Sequence, residues 1–342
     1  MTKKMFASDN NSGIHPAIME AIVQANDGHV PAYGSDLHTA AAIKKFKEHF
    51  GGESEVEFVF NGTGANVTGL KAMVRSHQAI ICTDGAHINS DEGGAAEGVI
   101  GGKLLTVPSA DGKLTVSGIE QHLHNIGNQQ RSQPKAVSIS QCTELGTVYT
   151  IEEIKEITSY AHANGLYVHM DGARLSNAAA HLGCSLAEMT VDAGIDMLAF
   201  GGTKNGLMMG EAVVCFNKEL ASELKYIRKQ GMQLGSKMRF LAAQFERLLT
   251  DDLWLDNARH ANGMAGLLAE GLMEFEGISL TQPVESNAVF ASLPKEQIER
   301  LQEKHSFAVW NEEENEIRLV TSFDTSKEDV ESLLGDVRKS FS

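Results

Sequence analysis

Cysteine is scarce in this chain of 342 residues: Cys82, Cys142, Cys184 and Cys215 lie far apart and form no C-x-x-C pair. A disulfide framework or a thiolate metal site needs closer spacing, so all four are expected to be reduced, buried, small apolar residues in segments such as AIICT and AVVCF. Positive charge is also short, with 29 Lys plus Arg against 45 Asp plus Glu, a net charge of −16, and no basic run. Such a surface gains nothing from a nucleic acid or an anionic membrane, so neither is expected as a partner. No stretch approaches the ~20 apolar residues of a membrane span. The two lysines within Met1 to Ser12 are followed by no apolar leader, which sets the expected location as cytoplasmic. Among 13 histidines no pair has zincin spacing, so no metal site is expected. Internal repeats, low-complexity segments and a Pro/Gly/Ser-rich linker are missing as well.

What the chain does have is an alternation. Short runs rich in β-branched residues occur at 55–60, 79–83, 103–107, 135–140, 166–171, 196–200 and 212–216. Helix-like stretches separate most of them; in one, Ile151, Ile154, Ile157 and Ala161 recur at helical spacing and Gly165 ends the pattern. This order predicts an α/β fold with a mostly parallel sheet covered on both faces. From about Lys218 long helical patterns take over, followed by strands near 287–292 and 316–321 and a last helix from about Lys327. We therefore expect a large domain over residues 1–250 and a smaller C-terminal α+β domain over 251–342, closely packed.

Four segments carry chemistry. Phe200-Gly201-Gly202-Thr203-Lys204-Asn205-Gly206 sets a lysine among glycines directly after an apolar strand. A buried lysine is costly unless its charge is solvated, paired or removed, and imine formation removes it. Taken alone, a glycine-rich loop with an exposed lysine is an equally good reading, and the segment is no P-loop. His169-Met170-Asp171-Gly172-Ala173-Arg174 places Asp171 at a strand's carboxyl end, where open α/β sheets bind ligands. An acid there suits a pyridine nitrogen that must stay protonated to act as an electron sink. Arg174 has the fork of donors suited to a ring hydroxyl or a carboxylate; an Asp and Arg tying strand to helix is the structural alternative. Gly62, Thr63 and Gly64, at a strand-to-helix turn, make an anion cradle of free backbone N–H groups. The dinucleotide fingerprint fails there because Val67 stands where its third glycine would be. Last, His87 follows a strand and offers a flat ring to stack on a cofactor and a base near neutrality, although a lone histidine is more often structural.

In this chain order the segments resemble the low-specificity L-threonine aldolases of the β-eliminating lyase group, which have the aspartate-aminotransferase-like fold (fold type I) of pyridoxal-phosphate enzymes. The resemblance spans nearly the whole chain, from Phe6-Ala7-Ser8-Asp9-Asn10 through Tyr33-Gly34-Ser35-Asp36 to Arg318 and the residues after it. Its most specific part is HMDGAR followed about thirty residues later by FGGTKNG. The resemblance implies pyridoxal 5'-phosphate as a Schiff base on Lys204, Asp171 on the ring nitrogen, His87 stacked on the ring, and Gly62, Thr63 and Gly64 around the phosphate. It also implies that Ser8, Arg174 and Arg318 hold the substrate's α-carboxylate. The implied reaction is aldol cleavage of L-threonine, L-allo-threonine and related β-hydroxy-α-amino acids to glycine and an aldehyde. The implied assembly is a homo-oligomer, a tetramer built as a dimer of dimers, with the region of Lys229 near a neighbour's phosphate site. One departure stands out: where many members have Thr-His-Asn-Gly, this chain has Thr143-Glu144-Leu145-Gly146, so the base for the β-hydroxyl is His87, a water or Glu144. Transamination or β-elimination on the same scaffold, and a cofactor-free binding protein of the same fold, are the alternative functions.

Overall fold

The seven β-branched runs become the seven strands β1 (Glu55–Val59), β2 (Gln78–Thr83), β3 (Lys103–Val107), β4 (Gln133–Ser140), β5 (Tyr167–Gly172), β6 (Met197–Gly201) and β7 (Glu211–Cys215). They form one sheet in the order β1-β7-β6-β5-β4-β2-β3. Every pairing is parallel except the two made by β7. The computed structural model describes residues 5–341; Met1 to Lys4, with the two amino-terminal lysines, and Ser342 lie outside the described residues.

All five residues of β6 and of β7 are buried, as expected where helices cover both faces and no polar alternation is needed. Local signals set the helix ends. The Ile151–Ala163 helix starts at a capping box between Thr150 and Glu153, and Gly165, with φ of 70°, turns the chain out after it. On one face of the sheet lies an aromatic cluster. Phe46, on the Leu37–Phe50 helix, meets Phe50, Phe58, Phe200 and Phe245 at centroid distances of 5.8, 5.6, 5.4 and 5.3 Å.

The 20-residue helix Leu253–Leu272 leads into a second, antiparallel sheet of β8 (Ser279–Leu280), β9 (Ala288–Ser292), β10 (Ala308–Asn311) and β11 (Glu316–Val320), in the order β10-β11-β9-β8. Val330, Leu333 and Val337 of the helix Lys327–Ser340 share its apolar core. The expected strands near 287–292 and 316–321 are the two central ones; β8 and β10 are short, weakly buried edges without an alternating pattern to announce them. The start of the described chain joins this second unit. Phe6 lies in its apolar core, donating its N–H to Ser306 at 2.9 Å and accepting from the N–H of Val320 at 2.8 Å. Three residues on, Asp9 meets Arg174 just beyond the carboxyl end of β5. Of the cysteines, Cys82, Cys142 and Cys215 are buried and all four are free, but Cys184 is only half-buried because it follows Gly183 at an exposed helix end.

Candidate active site

The carboxyl ends of β4, β5 and β6 converge on a narrow cavity of ≈ 60 Å³ whose walls include Gly62, His87, Asp171, Arg174 and Lys204. Five of the residues picked out from separate segments thus meet in one place. Roomier hollows exist, such as one of ≈ 530 Å³ beside β1, but its lining of Lys47, Glu53, Lys218 and Lys225 is a charged surface without convergent donors.

Lys204 sits in the single helical turn Thr203–Asn205 directly after β6. The glycines before it are demanded by close approach: a Cβ on Gly201 would lie 2.3 Å from the Ala173 carbonyl oxygen. The Arg174 guanidinium, then burial, hold the Lys204 amine below the usual lysine range, while Asp9, Asp171 and Glu211 oppose them. Asp171 is buried near the end of β5. Its oxygens accept the Ala173 N–H at 3.0 Å and the Asn66 amide at 2.8 Å. That same Asn66 nitrogen donates to Glu92 at 2.7 Å, and Glu92 in turn meets His87 Nδ1 at 2.8 Å. The Glu92 hydrogen bond raises the His87 pKa against the pull of burial. With Nδ1 engaged, Nε2 is the ring nitrogen left for other work.

Gly62 and Thr63 open the Gly62–Met73 helix. The Asn61 side chain caps it by accepting the Gly64 N–H at 2.7 Å; the N–H groups of Gly62 and Thr63 have no acceptor among the described residues. Nothing lies within 4 Å of a Cβ placed on Gly62, whereas one on Gly64 would meet Gln233 at 2.5 Å. The turn is therefore open on the side where an anion would sit and braced on the other. Within this chain the Lys229 Nζ lies over the Tyr33 ring at 5.2 Å.

The three expected carboxylate holders, Ser8, Arg174 and Arg318, each have neighbours of their own. Arg174 spends Nε and Nη2 on a fork to Asp9, at 2.7 and 2.9 Å, so its bidentate edge is taken and Nη1 is the nitrogen left over. Burial pushes the Asp9 carboxyl up, but Arg174 and Lys204 together outweigh it and hold the group low. Asn287 adds a hydrogen bond to Asp9 at 3.0 Å, tying the start of the chain, the large sheet and the small unit together. Ser8 is bonded locally, accepting from the Asn10 N–H at 3.1 Å. Arg318 stands over Trp310 at 4.7 Å with its Nε buried and unpaired, near enough to Arg174 for the two charges to repel. Glu144 lines the cavity; its Oε1 accepts from the His87 N–H at 2.8 Å and the Ser140 hydroxyl at 2.7 Å. Its Oε2 is buried without a partner, and burial raises its pKa.

Asp9, Asn66, Glu92 and Glu211 are site residues that sequence reasoning passed over. Asn66 had a signal, being one helical turn beyond Gly62 and hence on the same face; Glu92 and Glu211 lie near in sequence to their partners His87 and Gly202, and Asp9 is brought in only by long-range folding. His87, Glu92 and Asp171 offer ligand atoms within 4.8 Å of one another. The Asn66 amide, a donor, lies between the two carboxylates, which is the wrong polarity for a cation site.

The arrangement suits one kind of guest. Gly62 at the open helix turn, a carboxylate for a ring nitrogen, a flat imidazole and a primary amine line one cavity, and Glu92 Oε2, Glu144 Oε2 and Asn66 Oδ1 are buried there unpaired. These are the contacts pyridoxal phosphate would use, so the residues present fit that cofactor.

Comparison with known proteins agrees. Residues 5–296 match the family described as Beta-eliminating lyase. A low specificity L-threonine aldolase of Pseudomonas aeruginosa is 45% identical, covering 98% of this chain and 97% of its own. One from a Pseudomonas strain is 44% identical over the same shares. A solved threonine aldolase from Leishmania major superposes with a TM-score of 0.93 at 33% identity, over 98% of both chains. The chain accordingly belongs to the beta-eliminating lyase family, with the fold type I architecture of pyridoxal-phosphate enzymes.

Proposed function

We propose that this chain is a low-specificity L-threonine aldolase that cleaves L-threonine, L-allo-threonine and related β-hydroxy-α-amino acids to glycine and an aldehyde. The observation that carries the reading is that Lys204 and Asp171, distant in sequence, line one cavity beside the open helix turn at Gly62. The relatives named above, nearly half identical over their whole length, support the reaction.

Lys204 would carry the cofactor's aldehyde carbon, Asp171 would pair with the ring nitrogen, His87 would stack on the ring, and Gly62, Thr63 and Gly64 would take the phosphate. When bound, the cofactor supplies the electron sink that lets a Cα bond break. The rest is the chain's own work. Arg174, pinned by Asp9, offers its remaining donor to the substrate carboxylate, with Arg318 and Ser8 completing the grip and so selecting the Cα–Cβ bond for cleavage. His87 Nε2 takes the β-hydroxyl proton while Glu92 stabilises the imidazolium formed, a contribution of about 10²–10⁴-fold. Glu144 stands ready beside it as the other base. We also read the protein as a cytoplasmic homo-oligomer, a dimer of dimers. Among the described residues no helix is long and apolar enough to cross a membrane.

Aldehyde release from the threonine diastereomers and phenylserine tests the reading. Lys204→Ala is expected to lose the visible absorbance and on the order of 10⁴-fold or more in turnover, and borohydride should fix the cofactor to the peptide containing Lys204. Keto acid without aldehyde, or label on another lysine, would overturn it. An unchanged turnover number in His87→Asn would transfer the base to Glu144 or a water.

A further inference from the structure

Glu211 is a buried acid for which the chemistry above has no use. It opens β7 opposite Gly201 of β6 and is almost wholly removed from solvent. Its Oε2 accepts the Gly202 N–H at 2.6 Å, and the Thr203 hydroxyl stabilises the same carboxylate. Both contacts are to the turn whose next residue is Lys204. That turn has little room to shift: a Cβ on Gly202 would fall 2.7 Å from the Gly210 carbonyl oxygen and 2.4 Å from Leu207. The direction of the Lys204 side chain is therefore set by backbone held between two strands and one carboxylate.

The electrostatics add a second link. Burial pushes the Glu211 carboxyl up to about 7, against the Thr203 and Gly202 hydrogen bonds. Among its charged neighbours Lys204 favours the ionised form and Asp171 opposes it. Seen from Lys204, the charged form of the amine is disfavoured by Arg174 and burial and favoured by Asp9, Asp171 and Glu211. Asp9 is held ionised by its fork to Arg174. Glu211, by contrast, has only neutral donors in contact and is balanced near neutrality. In a poorly solvated site, a change of charge at one group is cheapest when another compensates it.

We propose that Glu211 is a positioning residue for Lys204, anchoring the Gly202–Thr203 turn and releasing or taking up one proton as the lysine amine gains or loses its positive charge. The net charge of the pair then stays constant: carboxyl with neutral amine, or carboxylate with ammonium. A lysine that alternates between carrying a cofactor and standing free goes through that change in every cycle.

The test uses the full chain and Glu211→Gln, which keeps an acceptor for the Gly202 N–H and removes the charge. In cofactor-free protein, labelling of Lys204 by an amine-reactive anhydride is followed against pH by peptide mass spectrometry, with exposed Lys44 as the internal control. Loss of the carboxylate should move half-labelling of Lys204 to lower pH and speed its labelling several-fold near neutrality, with Lys44 unchanged. In cofactor-loaded protein the pH midpoint of the visible band should move as well. Glu211→Gln curves for Lys204 that superimpose on the parent's, in folded protein, would overturn the proposal. Should Glu211→Gln fail to fold, Lys204→Met replaces it: the infrared band of the protonated Glu211 carboxyl should persist to higher pH than in the parent, and an unmoved midpoint would be equally fatal. The second measurement rests on the function proposed above, the first and third do not. A shifted labelling curve in a protein that binds no cofactor would thus uphold Glu211 and sink the aldolase reading.

Discussion

Strand β6 serves two regions that follow opposite rules. Phe200, its fourth residue, is fully buried and touches Phe46, Phe50 and Phe245 with ring centroids 5.4 to 6.3 Å apart. Lys204, four residues later, stands among Arg174, Asp9, Asp171 and Glu211. In the aromatic cluster every atom gains by leaving water, so the packing is complete in itself. At the cavity, charges are removed from water and only partly compensated; Glu92, Glu144 and Asn66 each keep a buried oxygen without a partner. The core supplies stability and the site consumes some of it, holding groups in readiness for a ligand.

Substitutions in the two regions should separate activity from stability. Asp171→Asn should cost the largest factor, roughly 10²–10³ in kcat, while thermal melting moves little, because an amide can keep one of the two hydrogen bonds that Asp171 makes. A variant that unfolded instead would show that the cavity wall belongs to the core. Phe46→Ala should do the reverse, losing ~3–5 kcal/mol in denaturant titration with KM and kcat unchanged in the fraction that stays folded. If its kcat fell with stability intact, the division would be wrong in the other direction. The smallest effect is expected from Glu92→Gln. The Glu92 hydrogen bond raises the His87 pKa, and a base works only when neutral. Its loss should therefore shift the acidic limb of the kcat/KM profile to lower pH; a shift to higher pH, or none, would remove His87 and Glu92 as a coupled pair.

Much of the fold was legible because buried parallel strands announce themselves as unbroken β-branched runs, and each of the seven was found within a residue or two of its place. The small edge strands β8 and β10 were not, since strands of two and four residues with half-wet faces carry no period. The site divides along the same line. Lys204, Asp171, Gly62 and His87 stand at strand ends beside glycines, positions that sequence marks. Glu92 comes just after the short helix His87–Ser90, and Glu211 reads as one more strand residue. Arg174 shows the difference most clearly: its presence was foreseen, but its fork to Asp9, 165 positions away, was not.

Residue order by itself determined the alternation of strand and helix, the glycine turns and the chemical types available at each strand's end, because these depend on near neighbours and on side-chain chemistry. Only the tertiary structure decided which charges face one another: that Arg174 is occupied by Asp9, that Asn66 joins Glu92 to Asp171, and that Glu211 lies against the turn bearing Lys204. Electrostatic interaction depends on distance through a medium shielded from water, and folding alone sets both the distance and the shielding.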